Sequence, residues 1–226
     1  MRNRIKGIIF DFNGTLFFDS DKHKKAWKKF STEIRSYPFS NEEILKNVFG
    51  HTNRAILEYL VKEEISGEQL NDYANRKEQY YRQSCLRDAA NLKLVDGTID
   101  LFEFFLKNEI SINIATASEI TNVKFFNEQF GLDRWFDFDK IVYDDDKIKG
   151  KPAPDMFLKA AKNIGVNPSE CIVFEDSATG IAAAKNAGIG KIIIIDPSAE
   201  KSKFHKHPDV DQVIPDFTKF DRTIYF

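Results

Sequence analysis

Asp11 is the first residue of this sequence with clear chemical potential. It follows the apolar run Ile8-Ile9-Phe10 and precedes Asn13-Gly14-Thr15. An apolar run that stops at a carboxylate and a tight turn is typical of a buried strand whose carboxyl end faces a ligand crevice. Asp11 could therefore act as a nucleophile, as a metal ligand or as both. The plain alternative is a strand-terminating carboxylate that only caps a turn.

Three further groups of polar side chains occupy comparable places downstream. They are the hydroxyl cluster Thr116-Ala117-Ser118, the lysine of Gly150-Lys151-Pro152 and the carboxylate pair Glu175-Asp176. If the strands are parallel, their carboxyl ends lie at one edge of the sheet, and these groups meet Asp11 there. Carboxylates from different strands share a crevice when a cation joins them, and hard oxygen ligands suit Mg²⁺. Lys151, the Thr116 hydroxyl and nearby backbone N–H groups would hold an anion beside that metal.

Each of these groups also has an ordinary structural explanation. Thr116 could simply end a strand, Lys151 could be a surface side chain, and Glu175-Asp176 could be a charge pair at a helix N-terminus. The occurrence of all of them in this order favours the functional interpretation.

The elements that must position these groups alternate between strand and helix after Asp96-Gly97. Apolar periodicity predicts helices over residues 98–108, 120–130 and 178–187, and a further helix that begins at Pro154. It predicts strands over residues 110–115, 140–143, 171–174, 192–195 and 210–214. Such alternation is typical of βαβ units. We therefore predict an α/β fold with a doubly wound parallel sheet, built from residues 1–17 and 91–226.

Residues 18–90 carry a helical pattern throughout and predict a small inserted helical domain. Apolar residues recur at helical spacing, as in Ala26-Trp27, Phe30 and Ile34. The acidic and basic residues of this segment nearly balance. The lysines are therefore expected to form a solvated helix face rather than a binding patch; they are Lys22, Lys24, Lys25, Lys28 and Lys29.

Composition excludes several classes of function. The 226 residues carry a net charge of −2, which gives no electrostatic argument for nucleic acid or for an anionic membrane. No apolar run approaches the roughly 20 residues of a membrane span, and the N-terminus has no signal-peptide pattern. We expect a cytoplasmic monomer with a small-molecule partner, and free thiols at Cys85 and Cys171.

The four motifs together resemble those of the haloacid dehalogenase superfamily. The match rests on Asp11-Phe12-Asn13-Gly14-Thr15, Thr116, Lys151 in Lys-Pro-Ala-Pro-Asp, and Glu175-Asp176. The resemblance implies phosphoryl transfer through an aspartyl-phosphate on Asp11. It also implies that Mg²⁺ is held by Asp11, the backbone carbonyl of Asn13 and Asp176, with Glu175 assisting through water. Thr116, Ala117 and Lys151 would bind the transferring phosphoryl group.

The helical insertion is similar to the C1 cap of that superfamily. Asp19-x-x-x-His23-x-x-Ala26-Trp27 and Arg76-Lys77-x-x-x-Tyr81 resemble the cap of β-phosphoglucomutase and its sugar-phosphate phosphatase relatives. The resemblance implies a small phosphorylated metabolite as substrate. The candidate substrate-binding residues are His23, Trp27, His51, Asn53, Arg54, Lys77 and Ser118; His23 could equally be an exposed helix residue.

Two departures from the family pattern affect the expected function. Asn13 stands where the family has a second aspartate that protonates the leaving oxygen, and an amide cannot do so. Glu119 stands where mutase relatives have a lysine, and it would repel the distal phosphate of a bisphosphate unless it only caps the next helix. These residues favour a phosphatase that is slow on sugar phosphates over a phosphosugar mutase or a catalytically weakened binding module. Asn13-Gly14 is also a sequence prone to deamidation, which would create an acid at this position.

Overall fold

A parallel sheet lies at the centre of the larger of two compact units. The computed structural model describes residues 5–48, 53–145 and 147–224. One unit comprises Met1–Phe18 with Lys93–Phe226, and the other comprises Asp19–Leu92. We call them the α/β unit and the helical unit.

The sheet of the α/β unit has six strands within the described residues, all paired in parallel. The strands are β1 (Gly7–Phe10), β2 (Ser111–Glu119), β3 (Val142–Asp144), β4 (Cys171–Glu175), β5 (Lys191–Ile195) and β6 (Gln212–Ile214). Their spatial order is β3-β2-β1-β4-β5-β6, so β1 lies between β2 and β4. The predicted doubly wound α/β fold is confirmed.

The helical unit contains four α-helical segments in the described part of the chain: α1 (Ser20–Arg35), the short α2 (Asn41–Glu43), α3 (Asn53–Val61) and α4 (Gly67–Arg87). A π-helical turn over Ile44–Val48 continues α2. Ser40 and Ser66 each form a capping box, which satisfies backbone N–H groups at the starts of α2 and α4. Apolar side chains of α1, α3, α4, the π-helical turn and the connecting segments form one core around Trp27, Phe30 and Phe39.

Helices of the α/β unit follow its strands as a doubly wound sheet requires. They are α5 (Thr98–Lys107), α6 (Ile120–Phe130), α7 (Asp155–Asn163) and α8 (Ala178–Asn186). Side chains of a strand alternate between the two faces of the sheet. Ile9 and Val173 belong to a core shared with α7 and α8, whereas Phe10 and Phe174 stack with their ring centroids 5.2 Å apart in an aromatic layer. Both faces of the sheet are thus buried, as expected for parallel strands.

The structure differs from the sequence-based expectation at two places that matter for the site. β2 continues to Glu119 rather than ending at residue 115, and its register with β3 shifts between Ala115 and Glu119. The predicted solvated lysine face is wrong for Lys22. Its side chain is buried and its Nζ lies 3.0 Å from Asp21 Oδ1 and 2.9 Å from Asp88 Oδ2.

Among the described residues, no helix combines the length and the apolar character that crossing a membrane requires.

Candidate active site

Asp11 lies at the carboxyl end of β1, between the ends of β2 and β4. Its backbone N–H donates to the Phe174 carbonyl at 2.9 Å, and its side chain is nearly buried. The chain then turns sharply, with Gly14 at φ +81° and its N–H donating to the Phe17 carbonyl at 2.8 Å. A Cβ at Gly14 would collide with the Asp176 carboxylate. A glycine at this position therefore lets the turn and the carboxylate approach each other closely.

The Lys151 ammonium joins the two buried carboxylates. Its Nζ donates to Asp11 Oδ1 and to Glu175 Oε1, at 2.5 Å in each case. All three side chains are less than a tenth exposed. A charge-assisted network in such a dry environment holds each member in a fixed position.

Glu175 is fixed on its other side by the start of α8. Its Oε2 accepts the backbone N–H groups of Asp176 and Ser177, both at 2.8 Å, and the Ser177 hydroxyl at 2.9 Å. The Ser177 hydroxyl also accepts the Gly180 N–H at 3.0 Å, which caps the helix. A Cβ at Gly180 would overlap the Glu175 carboxylate. Glu175 thus belongs both to a helix start and to the network of Lys151.

Burial and charge together set the protonation of these groups. Burial raises the pKa of Asp11 to about 7; Lys151 opposes this rise and the nearby Glu175 carboxylate adds to it. Burial acts on Glu175 in the same direction, but Lys151 and the backbone N–H groups outweigh it, and the pKa of Glu175 is lowered. The pKa of Lys151 is raised because the two carboxylates outweigh its burial. Lys151 is therefore a permanent cation at neutral pH.

The carboxylates of Asp11, Glu175 and Asp176 form a cluster of the kind that holds a metal ion. Each offers an oxygen, and these oxygens lie within 4.8 Å of one another. The Lys151 ammonium bonds to two of them, Asp11 and Glu175, so that three ionised carboxylates would leave an excess of negative charge that a divalent cation would offset. A donor set of carboxylate oxygens fits a hard cation such as Mg²⁺.

Asn13, Thr116 and Ser118 form a second cluster beside this one. The Ser118 hydroxyl donates to Asn13 Oδ1 at 2.7 Å and the Thr116 hydroxyl donates to the same oxygen at 3.3 Å. The Ser118 backbone N–H donates to Thr116 Oγ1 at 3.1 Å.

Deamidation of Asn13 would require its side chain to be attacked by the backbone nitrogen of Gly14. The N–H group of that nitrogen donates to the Phe17 carbonyl, which holds it in place. This geometry opposes deamidation in the folded protein.

Three of the candidate substrate-binding residues lie together in the helical unit. Lys77 is buried; its Nζ donates to Glu78 Oε1 at 2.6 Å and lies 3.1 Å from His23 Nδ1. The His23 ring stacks on Tyr81 with centroids 4.0 Å apart. Trp27 is buried in the hydrophobic core of this unit. A substrate role for these residues stays a prediction.

The remaining candidates are on or before α3. Asn53 is the first residue of that helix, and the Arg54 guanidinium lies 3.3 Å from Glu58 Oε1 and 3.3 Å from the Ile65 carbonyl. His51 lies outside the described residues.

Ser177 was not among the predicted site residues, although a serine before a helical pattern is a recognisable N-cap signal.

Comparison with known proteins identifies the family. The model of the family "haloacid dehalogenase-like hydrolase" matches residues 5–188. The crystal structure of a HAD hydrolase, family IA, variant 3, from Entamoeba histolytica HM-1:IMSS has 39% sequence identity and a TM-score of 0.86, and the match covers 97% of this chain and 96% of that one.

Two curated relatives span most of the chain. β-Phosphoglucomutase of Bacillus subtilis (strain 168) is 32% identical over 192 residues, covering 82% of this chain and 81% of its own. The probable pseudouridine-5'-phosphatase of Drosophila melanogaster is 29% identical over 224 residues, covering 95% and 92%. The predicted enzyme class, a phosphatase or hydrolase of the haloacid dehalogenase type, is confirmed. Because the family match runs from β1 through α8 and so includes the ends of β1, β2 and β4 that carry the site, the chain belongs to the haloacid dehalogenase-like hydrolases.

Proposed function

We propose that this enzyme is a Mg²⁺-dependent phosphatase that moves the phosphoryl group of a small phosphorylated metabolite first to Asp11 and then to water. The observation that carries the proposal is the buried Asp11 carboxylate, held 2.5 Å from the Lys151 ammonium and next to Glu175 and Asp176. Phosphoryl transfer needs a fixed nucleophile and preorganised positive charge, and this cluster offers both.

Asp11, Asp176 and the backbone carbonyl of Asn13 would hold the Mg²⁺ ion, with Glu175 assisting through water. When bound, the ion would offset negative charge on the phosphate and so lower the electrostatic barrier to attack by a carboxylate. Burial, with repulsion by Glu175, raises the pKa of Asp11 to about 7. Added positive charge next to Asp11 would favour its ionised, nucleophilic form.

Asp11 would attack phosphorus with one carboxylate oxygen. An O–P bond forms on Asp11, the P–O bond to the leaving group breaks, and the electron pair stays with the leaving oxygen. The Lys151 ammonium, the Thr116 hydroxyl and the Ala117 backbone N–H would hold the other phosphoryl oxygens during this transfer. Attack by water would then release inorganic phosphate and regenerate Asp11.

Asn13 would restrict the range of leaving groups. Its amide can donate a hydrogen bond to the leaving oxygen but cannot transfer a proton to it. Loss of a positioned acid–base group costs about 10²–10⁴ in rate, roughly 3–5.5 kcal/mol of barrier. Sugar phosphates, whose alkoxides need that proton, should therefore react slowly. Acyl and aryl phosphates should suffer less in the first step, and phosphorylated Asp11 should accumulate.

The names of the two curated relatives support a small phosphorylated substrate, since one is a phosphoglucomutase and the other a probable pseudouridine-5'-phosphatase. A mutase is the second candidate because of the 32% identity to the Bacillus subtilis enzyme. Glu119 weighs against it. Glu119 ends β2, its backbone pairs in register with Asp144 of β3, and a second phosphate near these two carboxylates would be repelled.

A panel of phosphate esters tests the proposal directly. Phosphate release from acyl, aryl and hexose phosphates is measured with Mg²⁺ and with EDTA, for the native protein, for Asp11→Asn and for the control Asp100→Asn at an exposed position of α5. We expect Mg²⁺-dependent release that Asp11→Asn abolishes and Asp100→Asn leaves intact. Inertness toward every ester, with stabilisation by inorganic phosphate, would instead identify a binding module.

A further inference from the structure

A cavity of about 520 Å³ lies along α1 and α4 of the helical unit. The two helices pack against each other, and the cavity is lined in part by the small side chains of Ala26 on α1 and Ser84 on α4. Small side chains at these positions leave space that longer side chains surround. A cavity of this volume is large enough for a small ligand.

Three of the side chains that line the α1–α4 cavity are basic: Lys25, Lys29 and Arg87. Lys25 Nζ donates to Asp21 Oδ2 at 3.0 Å. Lys29 Nζ lies 3.8 Å from the centroid of the Tyr80 ring. Within residues 5–48, 53–145 and 147–224, neither the Lys29 ammonium nor the Arg87 guanidinium has a carboxylate partner.

The carboxylates beside the cavity already have cationic partners. Asp88, an acidic residue of the lining, accepts the Lys22 ammonium at 2.9 Å. Glu33 accepts the Tyr80 hydroxyl at 2.6 Å and pairs with the Arg76 guanidinium. The ion pairs that the fold makes here therefore leave positive charge in excess at the cavity, and an anion would offset it.

This positive charge is local, because the chain as a whole carries a net charge of −2. Lys25 and Lys29 belong to the group of lysines for which the sequence predicts a solvated helix face, yet both line the cavity. Lys25 follows the candidate substrate residue His23 by two positions, which places their side chains on different sides of α1. The cavity is thus a feature of α1 and α4 that the candidate substrate residues do not explain.

We propose that the α1–α4 cavity binds a small phosphate-bearing anion. A phosphate group carries nearly two negative charges at pH 7 and three acceptor oxygens, which suits several cations around one cavity. The planar Arg87 guanidinium can bind two phosphate oxygens at once, and Lys25 and Lys29 add point charges. The Ser84 hydroxyl and the Gln83 amide, which also line the cavity, are neutral donors. This inference does not depend on the proposed phosphatase function, because none of these residues belongs to the cluster around Asp11.

Nuclear magnetic resonance with inorganic pyrophosphate as the probe tests the proposal residue by residue. The full chain is titrated in EDTA and about 0.15 M KCl, a salt concentration that weakens general attraction between exposed charges. The side-chain amide signals of Gln83 are assigned by their loss in Gln83→Glu. The backbone signal of Ser118 reports separately on binding of the probe near Asp11. We expect the Gln83 signals to shift and to reach saturation.

Three variants of equal charge change test whether the cavity is the binding site. Arg87→Gln and Lys29→Gln should each weaken pyrophosphate binding about tenfold, the scale of one charge-assisted hydrogen bond. Lys24→Gln is the matched control, since Lys24 lies on α1 but not in the lining of the cavity, and it should change the Kd by less than about twofold. Circular dichroism checks that each variant is folded.

Several results would overturn the proposal. A Gln83 shift that is absent, or that grows linearly without saturation, would show that the cavity holds no site for this anion. An equal loss of affinity in Lys24→Gln would reduce the binding to general attraction by the lysines of α1. Loss of the Ser118 shift in Asp11→Asn would concern only the phosphatase site, so failure there and failure at the cavity are distinguishable.

Discussion

Replacing Asn13 by aspartate should speed the turnover of sugar phosphates. The two side chains have the same shape, so the hydrogen bonds from Ser118 at 2.7 Å and from Thr116 at 3.3 Å can be kept. The fold should tolerate the change, and the melting temperature should move little. What the variant gains is a group that can accept a proton from water and, when protonated, give one to a leaving alkoxide.

The structure sets the size of the gain. A positioned acid–base group contributes about 10²–10⁴ in rate. The two hydroxyl donors favour the ionised form of the new carboxyl group, which helps it as a base toward water but hinders it as an acid toward the leaving group. We therefore expect the lower end of this range, about 10²-fold, for release of phosphate from a hexose phosphate.

Phosphate release from a hexose phosphate and from p-nitrophenyl phosphate is followed in the native protein and in Asn13→Asp, each also in an Asp11→Asn background that should be inactive. Acid quenching with radiolabelled substrate measures the phosphorylated protein, which should accumulate only when Asn13 is present. Measurement of the intact mass checks that Asn13 of the native sample is not deamidated. Equal turnover of the hexose phosphate by both proteins would refute the reasoning.

Two further predictions concern packing and charge. Gly180→Ala places a Cβ against the Glu175 carboxylate, and it should lower the free energy of unfolding by about 1–3 kcal/mol and abolish activity. Urea unfolding measures the change in free energy, and Gly67→Ala, where the space for a Cβ is open, is the neutral control. The hydrogen-bonded Arg35 guanidinium lowers the pKa of Glu43 to about 2. Because that value lies below the unfolded-state pKa, this stabilisation is complete above about pH 4.5 and is lost as the pH falls toward 2. Glu43→Gln should reduce stability at pH 7 and flatten its decline in acid, followed by circular dichroism; an unchanged acid profile would contradict this assignment.

Local pattern was sufficient for most of the fold. The helix predicted over residues 120–130 has those bounds in the structure, and the strand and helix order of the α/β unit follows the apolar periodicity. Periodicity shows which face of a helix or strand is apolar, but it does not show which charged side chain forms an ion pair with a residue of another element. The prediction therefore failed at Lys22, whose charge is matched by Asp88, a residue far along the chain.

The sequence by itself determined the fold class, the family motifs and the residue types at each strand end, because these depend on local spacing and composition. Only the tertiary structure decided which atoms meet. Lys151 lies 140 residues from Asp11 yet bonds to it, and Ser118 lies 105 residues from Asn13, whose amide oxygen accepts the Ser118 hydroxyl. Such pairs depend on the parallel register that aligns Phe10 of β1 with Ile114 of β2 and Phe174 of β4. Register is a property of the packed sheet, so the partner of each side chain at its edge cannot be derived from neighbours along the chain.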